Sequence, residues 1–256
     1  MSDSTAKVYF VAGATRGIGL ALVGAIVSKD TSAKVYAGGR DPLGSKQLVD
    51  LAAKYPGRIE PVKYVAGDQE GNTALAAQIQ KKHGHIDTII ANAAIGTSTG
   101  KVHENSVQNY EEHFSINVVG PIVLFQAFRD LLKASFLPRF IAISSMGGSI
   151  EALTQVRVDN APYGVSKAAL NWIIRKIHYE NDWLVTFPQC PGAVDTDMLR
   201  RGVANDATGI MKEMLKAITL RQPDDVANSL VDIFAASTRE KDGGQFHNID
   251  GGRWPW

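Results

Sequence analysis

Val8-Tyr9-Phe10-Val11-Ala12-Gly13-Ala14-Thr15-Arg16-Gly17-Ile18-Gly19 joins a short apolar, β-favouring run to a turn with three glycines. An apolar pattern of helical period, Leu20, Leu22, Val23, Ile26 and Val27, follows it. The run reads as strand, glycine turn, helix. Glycines let a backbone approach a pyrophosphate closely, and a helix N-terminus offers free N–H groups and the positive end of a dipole to phosphate. The spacing is G-x-x-x-G-x-G rather than the general G-x-G-x-x-G. Its place after the first strand makes a dinucleotide site the expected use of the turn.

The second strand runs from Ala33 to Arg40. In many dinucleotide sites an acidic residue at its end holds the ribose 2′-hydroxyl of NAD. Here Gly39 and Arg40 end the strand and Arg16 lies inside the glycine turn. Two guanidiniums suit a 2′-phosphate, which they hold by charged, forked hydrogen bonds. The cofactor reading is NADP(H); the alternative is that Asp41, one step beyond, takes the ribose.

Alternation of strand and helix patterns continues. Helices are expected over 42–55 and 71–83, and strands over 58–65 and 86–91, the last running into Asn92-Ala93-Ala94. Residues 95–105 form a loop. A long helical stretch over 107–135 contains Asn117 ahead of Gly120-Pro121, a sequence expected to distort the helix and displace its backbone bonds. Strand five, 139–145, ends in Ser144 and Ser145, where open α/β sheets bind ligands. Residues 150–161 read as an extra loop. Tyr163 and Lys167 stand one helical turn apart on one face of an apolar helix. An ammonium near a phenol is expected to lower the tyrosine pKa toward neutrality and suit it to proton transfer. Strand six, 182–187, leads into Pro191-Gly192-Ala193-Val194-Asp195-Thr196. Residues 197–221, rich in Met and Leu, are expected to form a lid over an apolar pocket. A helix over 223–236 and a short strand over 245–250 close the pattern.

These units imply one α/β domain over residues 1–256: a Rossmann-type, doubly wound parallel sheet of about seven strands with helices on both faces. The cofactor half is residues 1–140 and the catalytic and substrate half 141–256. Net charge is +1, which gives no electrostatic case for nucleic acid or a membrane surface. Cys190 is the only cysteine, so no intrachain disulfide forms. No apolar run reads as long enough to span a bilayer, residues 1–6 do not resemble a signal peptide, and a cytoplasmic protein is expected. No metal-ligand spacing and no G-x-S-x-G elbow occur.

Taken together, the motifs resemble those of the short-chain dehydrogenase/reductases over nearly the whole chain. Gly13 to Gly19 resembles the family's T-G-x-x-x-G-I-G loop, Asn92-Ala93 its N-N-A-G segment, Ser145 with Tyr163 and Lys167 its catalytic Ser and Y-x-x-x-K, and Pro191 to Thr196 its P-G-x-x-x-T segment. Within the family the chain looks most like norsolorinic acid ketoreductase-like and C-factor/sniffer-like carbonyl reductases. The resemblance implies a catalytic tetrad of Asn117, Ser145, Tyr163 and Lys167. It implies cofactor contacts from Gly13, Thr15, Arg16, Gly17, Ile18, Gly19, Arg40, Asn92, Ala93, Tyr163, Lys167, Pro191, Gly192, Val194 and Thr196. Asn117 is expected to hold a water that links Lys167 to solvent. The partners implied are a small carbonyl substrate and further copies of the chain, as a homodimer or homotetramer. Val65 stands where many relatives carry an adenine-contacting Asp, and Asp68 is the nearby carboxylate.

Overall fold

The computed structural model describes residues 6–96 and 100–256; residues 1–5 and residues 97–99 of the expected 95–105 loop lie outside the described residues. The chain runs β1 (Val8–Ala12), α1 (Gly17–Lys29), β2 (Lys34–Gly39), α2 (Lys46–Lys54), β3 (Ile59–Lys63), α3 (Gln69–His83), β4 (Thr88–Ala91), α4 (Val107–Phe114), a π-helical turn (Ser115–Val119), α5 (Gly120–Lys133) and β5 (Arg139–Ile143). A 3₁₀ turn (Met146–Gly148), α6 (Ile150–Leu153), α7 (Ala161–Glu180), β6 (Val185–Cys190), α8 (Asp197–Asn205), α9 (Ile210–Lys216), α10 (Pro223–Ala236), α11 (Arg239–Asp242) and β7 (His247–Asn248) complete it. The strands form one parallel seven-stranded sheet in the order β3-β2-β1-β4-β5-β6-β7.

Alternation within β1 explains the two layers. Val8, Phe10 and Ala12 face a cluster completed by α3, α5 and α7 through Leu75, Ile79, Leu124, Phe128, Leu170 and Ile174. Val11 faces the opposite cluster, filled from α1, α2 and α10 by Leu22, Ile26, Leu48, Val226 and Leu230. Successive strand residues point to opposite faces, so a strand covered on both sides reads as continuously apolar. The strand order reverses between β1 and β4, and this switch point puts the ends of both beside one crevice.

Four expectations need correction. Strand six runs over Val185–Cys190 rather than 182–187, because Asp182 and Trp183 form a turn ahead of it. α2 begins at Lys46 rather than Pro42, because Asp41 accepts from the Gly44 N–H at 3.0 Å in a turn of its own and Ser45 then caps the helix. The expected loop after β5 carries α6, capped by Ser149. The expected absence of a membrane-length helix fails on length and composition: α4, the π turn and α5 run on as one 27-residue helix apolar enough to cross a bilayer. Its buried residues, Leu124, Phe128, Leu131 and Leu132 among them, instead pack in the core.

Candidate active site

The glycine turn is held by backbone contact. Gly13 has φ +73°, and a Cβ there would lie 2.9 Å from Ala93 Cα. A Cβ on Gly19 would lie 2.1 Å from Gly13 O and 2.6 Å from Asn92 Nδ2. Asn92 donates its amide to Ala12 O (3.0 Å) and Gly13 O (3.2 Å). Its side chain therefore braces the turn from the neighbouring strand. α1 has neither a side-chain cap nor an acidic residue in its first turn. The residues thus leave the space and the helix-end N–H groups that a dinucleotide phosphate requires.

The end of β2 and the start of α2 are both tied to this turn, since Ala14 N donates to Gly38 O at 2.9 Å and Ser45 Oγ donates to Thr15 O at 2.8 Å. Arg16 and Arg40 are exposed, and among the described residues neither enters an ion pair. Asp41, the alternative ribose ligand, spends one carboxylate oxygen on the Gly44 N–H. Asp68 caps α3 through the Gly71 N–H at 2.9 Å, so its carboxylate is also engaged. Val65 helps line a groove of about 280 Å³ beside α3.

At the other end of the crevice the structure brings Ser145, Tyr163 and Lys167 together. Ser145 leaves β5 with extended backbone, and its hydroxyl accepts the Gly147 N–H at 3.1 Å. Gly147 stands between this hydroxyl and the tyrosine: a Cβ there would lie 3.3 Å from Ser145 Oγ and 3.5 Å from Tyr163 Cε1. A Cβ on Gly148 would lie 2.6 Å from the Lys167 backbone, so the bare glycine lets this turn seat on α7. Lys167 Nζ donates to Ile143 O at 2.8 Å, and lies 5.7 Å from the Tyr163 ring centroid.

The pKa shifts run opposite to the expectation for this pair. Burial pushes Tyr163 up to about 12, with the Ser145 hydroxyl pulling the other way. Burial pushes Lys167 down to about 8. Burial disfavours the charged form of each group, so the phenol is harder to ionise and the ammonium easier to neutralise. The lysine is thereby placed to titrate at mildly alkaline pH, and the tyrosine stays protonated.

Asn117 sits in the π-helical turn, 1% exposed. The helix distortion expected near Gly120-Pro121 is this turn, and it aims the amide inward. Asn117 Oδ1 accepts from Ile95 N (2.9 Å), and Nδ2 donates to Ile95 O (2.9 Å) and to Ser166 Oγ (3.0 Å). Both amide hydrogens are used, so a water held by this side chain has one Oδ1 lone pair available. Asn117 thus clasps the chain leaving β4 to α7.

Pro191 to Thr196 follows β6 beside this cluster. Gly192 takes φ +73°, Val194 is buried, and the Thr196 hydroxyl caps α8 by accepting from Leu199 N at 3.3 Å. The expected lid is the helix pair α8–α9. Its neck is closed by paired backbone bonds, Asp195 N to Arg221 O (2.9 Å) and Arg221 N to Ala193 O (3.1 Å). A Cβ on Gly96 would lie 3.2 Å from Tyr163 Cδ2 and 3.3 Å from Met198 Sδ, so the loop after β4 meets the tyrosine ring and Met198 of α8 meets that loop.

Several supporting residues escaped the sequence reading. Ser166 is fully buried and links Asn117 to Tyr163 O (2.7 Å). Ser144 donates to Asn171 Oδ1 at 2.5 Å, fixing β5 to α7. The available signal was a small polar residue on the buried face of an apolar helix, at Ser166 and Asn171. Cys190 lies buried at the end of β6, its thiol pushed up by that burial and drawn back by the N–H groups of Gly192 and Met146.

The chain matches the short chain dehydrogenase family profile over residues 7–207. Norsolorinic acid ketoreductase nor1 of Dothistroma septosporum is 32% identical over 261 residues, covering 99% of this chain and 94% of that protein. Norsolorinic acid ketoreductase of Aspergillus parasiticus is 32% identical over 261 residues, covering 97% and 91%. The NADPH-bound carbonyl reductase from chicken fatty liver superposes with a TM-score of 0.84 at 26% identity, covering 98% of this chain and 99% of that one. The carbonyl reductase Sniffer of D. melanogaster, 23% identical, shares the fold with a TM-score of 0.83 over 98% of this chain and 99% of its own.

Proposed function

The chain belongs to the short-chain dehydrogenase family, and from that premise we propose that it reduces a ketone or aldehyde to the alcohol with NADPH, Tyr163 giving the proton. The observation that carries the reading is the convergence of the Ser145 hydroxyl and the Tyr163 ring on Gly147 just beyond β5, with Lys167 buried and its Nζ donating to Ile143 O. Bound in the crevice, NADPH supplies the hydride. The glycine turn and the α1 N-terminus hold its phosphates, and Arg16 and Arg40 take the 2′-phosphate. Two exposed guanidiniums, at Arg16 and Arg40, neither in an ion pair among the described residues, support NADP(H) over NAD.

Each residue then has one task. Ser145 hydrogen-bonds the carbonyl oxygen and polarises it. Tyr163, protonated across the working pH range, donates to that oxygen as negative charge develops. Lys167 holds positive charge beside the phenol below its pKa of about 8 and so offsets the charge left on the oxygen. Asn117 and Ser166 hold the frame. Met198 beside the loop that meets the tyrosine ring, and the likeness to norsolorinic acid ketoreductases, support an apolar or aromatic, polyketide-like carbonyl.

NADPH oxidation, followed by absorbance against aromatic and aliphatic ketones and aldehydes with NADH in parallel, tests the reading. Tyr163→Phe should lower kcat by about 10²- to 10⁴-fold with little change in NADPH affinity. Near-normal turnover in that variant rejects the tyrosine as acid. Arg40→Ala should weaken NADPH much more than NADH, and equal losses reject the 2′-phosphate assignment.

A further inference from the structure

We propose that residues 253–256 form a clasp that positions Ser145, with Ser149 and Trp256 as positioning residues for its hydroxyl; the inference rests on the role of Ser145 given above. The segment after Ser145 needs an outside anchor. It is a single 3₁₀ turn ending in Gly147 and Gly148, followed by the four-residue α6. One side seats on α7 at Lys167. The other side is tied by the end of the chain.

Ser149 is 1% exposed; its hydroxyl donates to Pro255 O at 2.8 Å and accepts from Ala152 N at 3.0 Å. Glu151 N donates to the backbone oxygen of Trp256 at 3.0 Å. Residues 253–256 are themselves fixed beside β7: Trp254 N donates to Phe246 O (2.8 Å), and Arg253 bridges His247 in antiparallel pairing. The Trp256 ring stacks on buried Phe246, with centroids 5.9 Å apart, and the Arg175 guanidinium of α7 lies 4.6 Å from its centroid. Trp254 brings its buried indole N–H up to the Cys190 thiol without completing a hydrogen bond, and that thiol also draws the N–H of Met146, next to Ser145.

Neither core cluster includes a residue beyond Ile249. Two of the segment's hydrogen bonds, from Ser149 Oγ and Glu151 N, tie the stretch that follows Ser145. A polarising hydroxyl works only when held to within a fraction of an ångström, and a displacement of about 1 Å costs on the order of 100-fold in rate.

The test is a chain ending at Arg253, alone and combined with Ser145→Ala. The shortened chain should keep its NADPH Kd within about twofold and lose roughly 10- to 100-fold in kcat for carbonyl reduction. In the Ser145→Ala background the same truncation should cost little, because the hydroxyl to be positioned is gone. In the full chain, Trp256→Phe should keep most of the kcat that Trp256→Ala loses. Equal losses from truncation in both backgrounds overturn the clasp. If the shortened chain fails to fold by circular dichroism, Ser149→Ala carries the same comparison. If the parent protein reduces no carbonyl, the functional reading fails and the clasp is judged by amide hydrogen exchange. Truncation should then speed exchange at residues 147–153 and leave residues 13–19 unchanged; unaltered exchange at 147–153 overturns it.

Discussion

The two ends of the crevice are built by opposite means. At the glycine turn, precision comes from side chains that are absent. Gly13, Gly19, Ala93 and the Asn92 amide meet at backbone distances, and no Cβ fits at either glycine without displacing main chain. At the lid, α8 and α9 contain no buried residue, and salt bridges such as Arg200 to Asp195 (2.8 Å) and Lys216 to Glu213 (2.7 Å) lie at the surface. Close packing transmits strain and has discrete arrangements, whereas exposed elements open locally at low cost. A rigid end suits a ligand of constant shape and a loose end suits substrates that vary. The difference also bears on where mutations act: near the turn they should change cofactor affinity, and in the lid they should change little except carbonyl KM.

The largest effect expected from this contrast is at Gly19. Gly19→Ala places a methyl 2.1 Å from Gly13 O, and the obstacle is backbone, which cannot swing aside. Overpacking of this kind costs about 3 kcal/mol, on the order of 100-fold in NADPH affinity. Gly209→Ala is the matched control in the lid, where φ is +71° and nothing lies within 4 Å. Its cost is local strain of about 1 kcal/mol, with NADPH affinity unchanged. Titration of both variants with NADPH by fluorescence checks the pair. An affinity for Gly19→Ala within twofold of the parent protein, or a matching loss for Gly209→Ala, breaks the comparison.

An intermediate effect is expected where the two ends meet. Lys167 is charged below about pH 8 and neutral above it, because burial lowers its pKa. Tyr163, pushed up to about 12, keeps its proton throughout. If turnover requires the lysine charge, kcat/KM falls about tenfold per pH unit above about pH 8, since that ratio reports the free enzyme. Lys167→Arg, whose guanidinium stays charged, should remove the alkaline limb at some cost in absolute rate. A profile flat to pH 10 in the parent protein removes the lysine charge from the mechanism.

The same contrast separates what the sequence could and could not tell. The glycine run, the doubly buried strands and the Tyr163–Lys167 spacing were legible because backbone geometry and helical period act locally. The reversal of the expected Tyr163 shift was not, because it depends on how much protein closes over the phenol from distant elements. Asn92 as a brace depends on pairing with a strand 80 residues away. Residues 253–256 read as an aromatic tail of unknown contact, since Ser149 lies 106 residues from its acceptor. α2 was misplaced by four residues because the Asp41 turn competes with helix initiation, and only the Ser45 cap fixes the start.

The smallest effect, and the most direct probe of the loose end, is expected at Arg200. Its guanidinium, itself exposed, holds the partly covered Asp195 at 2.8 Å and the exposed Asp197 at 3.5 Å near the lid neck. The pairing lowers the Asp195 pKa and raises that of Arg200. Such pairs gain little in water and are screened by salt, whose Debye length falls from about 10 Å at 0.1 M to about 3 Å at 1 M. Arg200→Ala should therefore leave the melting temperature unresolved from the parent and raise carbonyl KM by no more than about twofold. Salt at 1 M should reproduce that change in the parent protein and add nothing in the variant. A tenfold rise in KM with NADPH affinity intact would mean that the surface pair holds the lid in one working position. The substrate end would then be as closely specified as the cofactor end, by charge at the neck instead of by backbone contact.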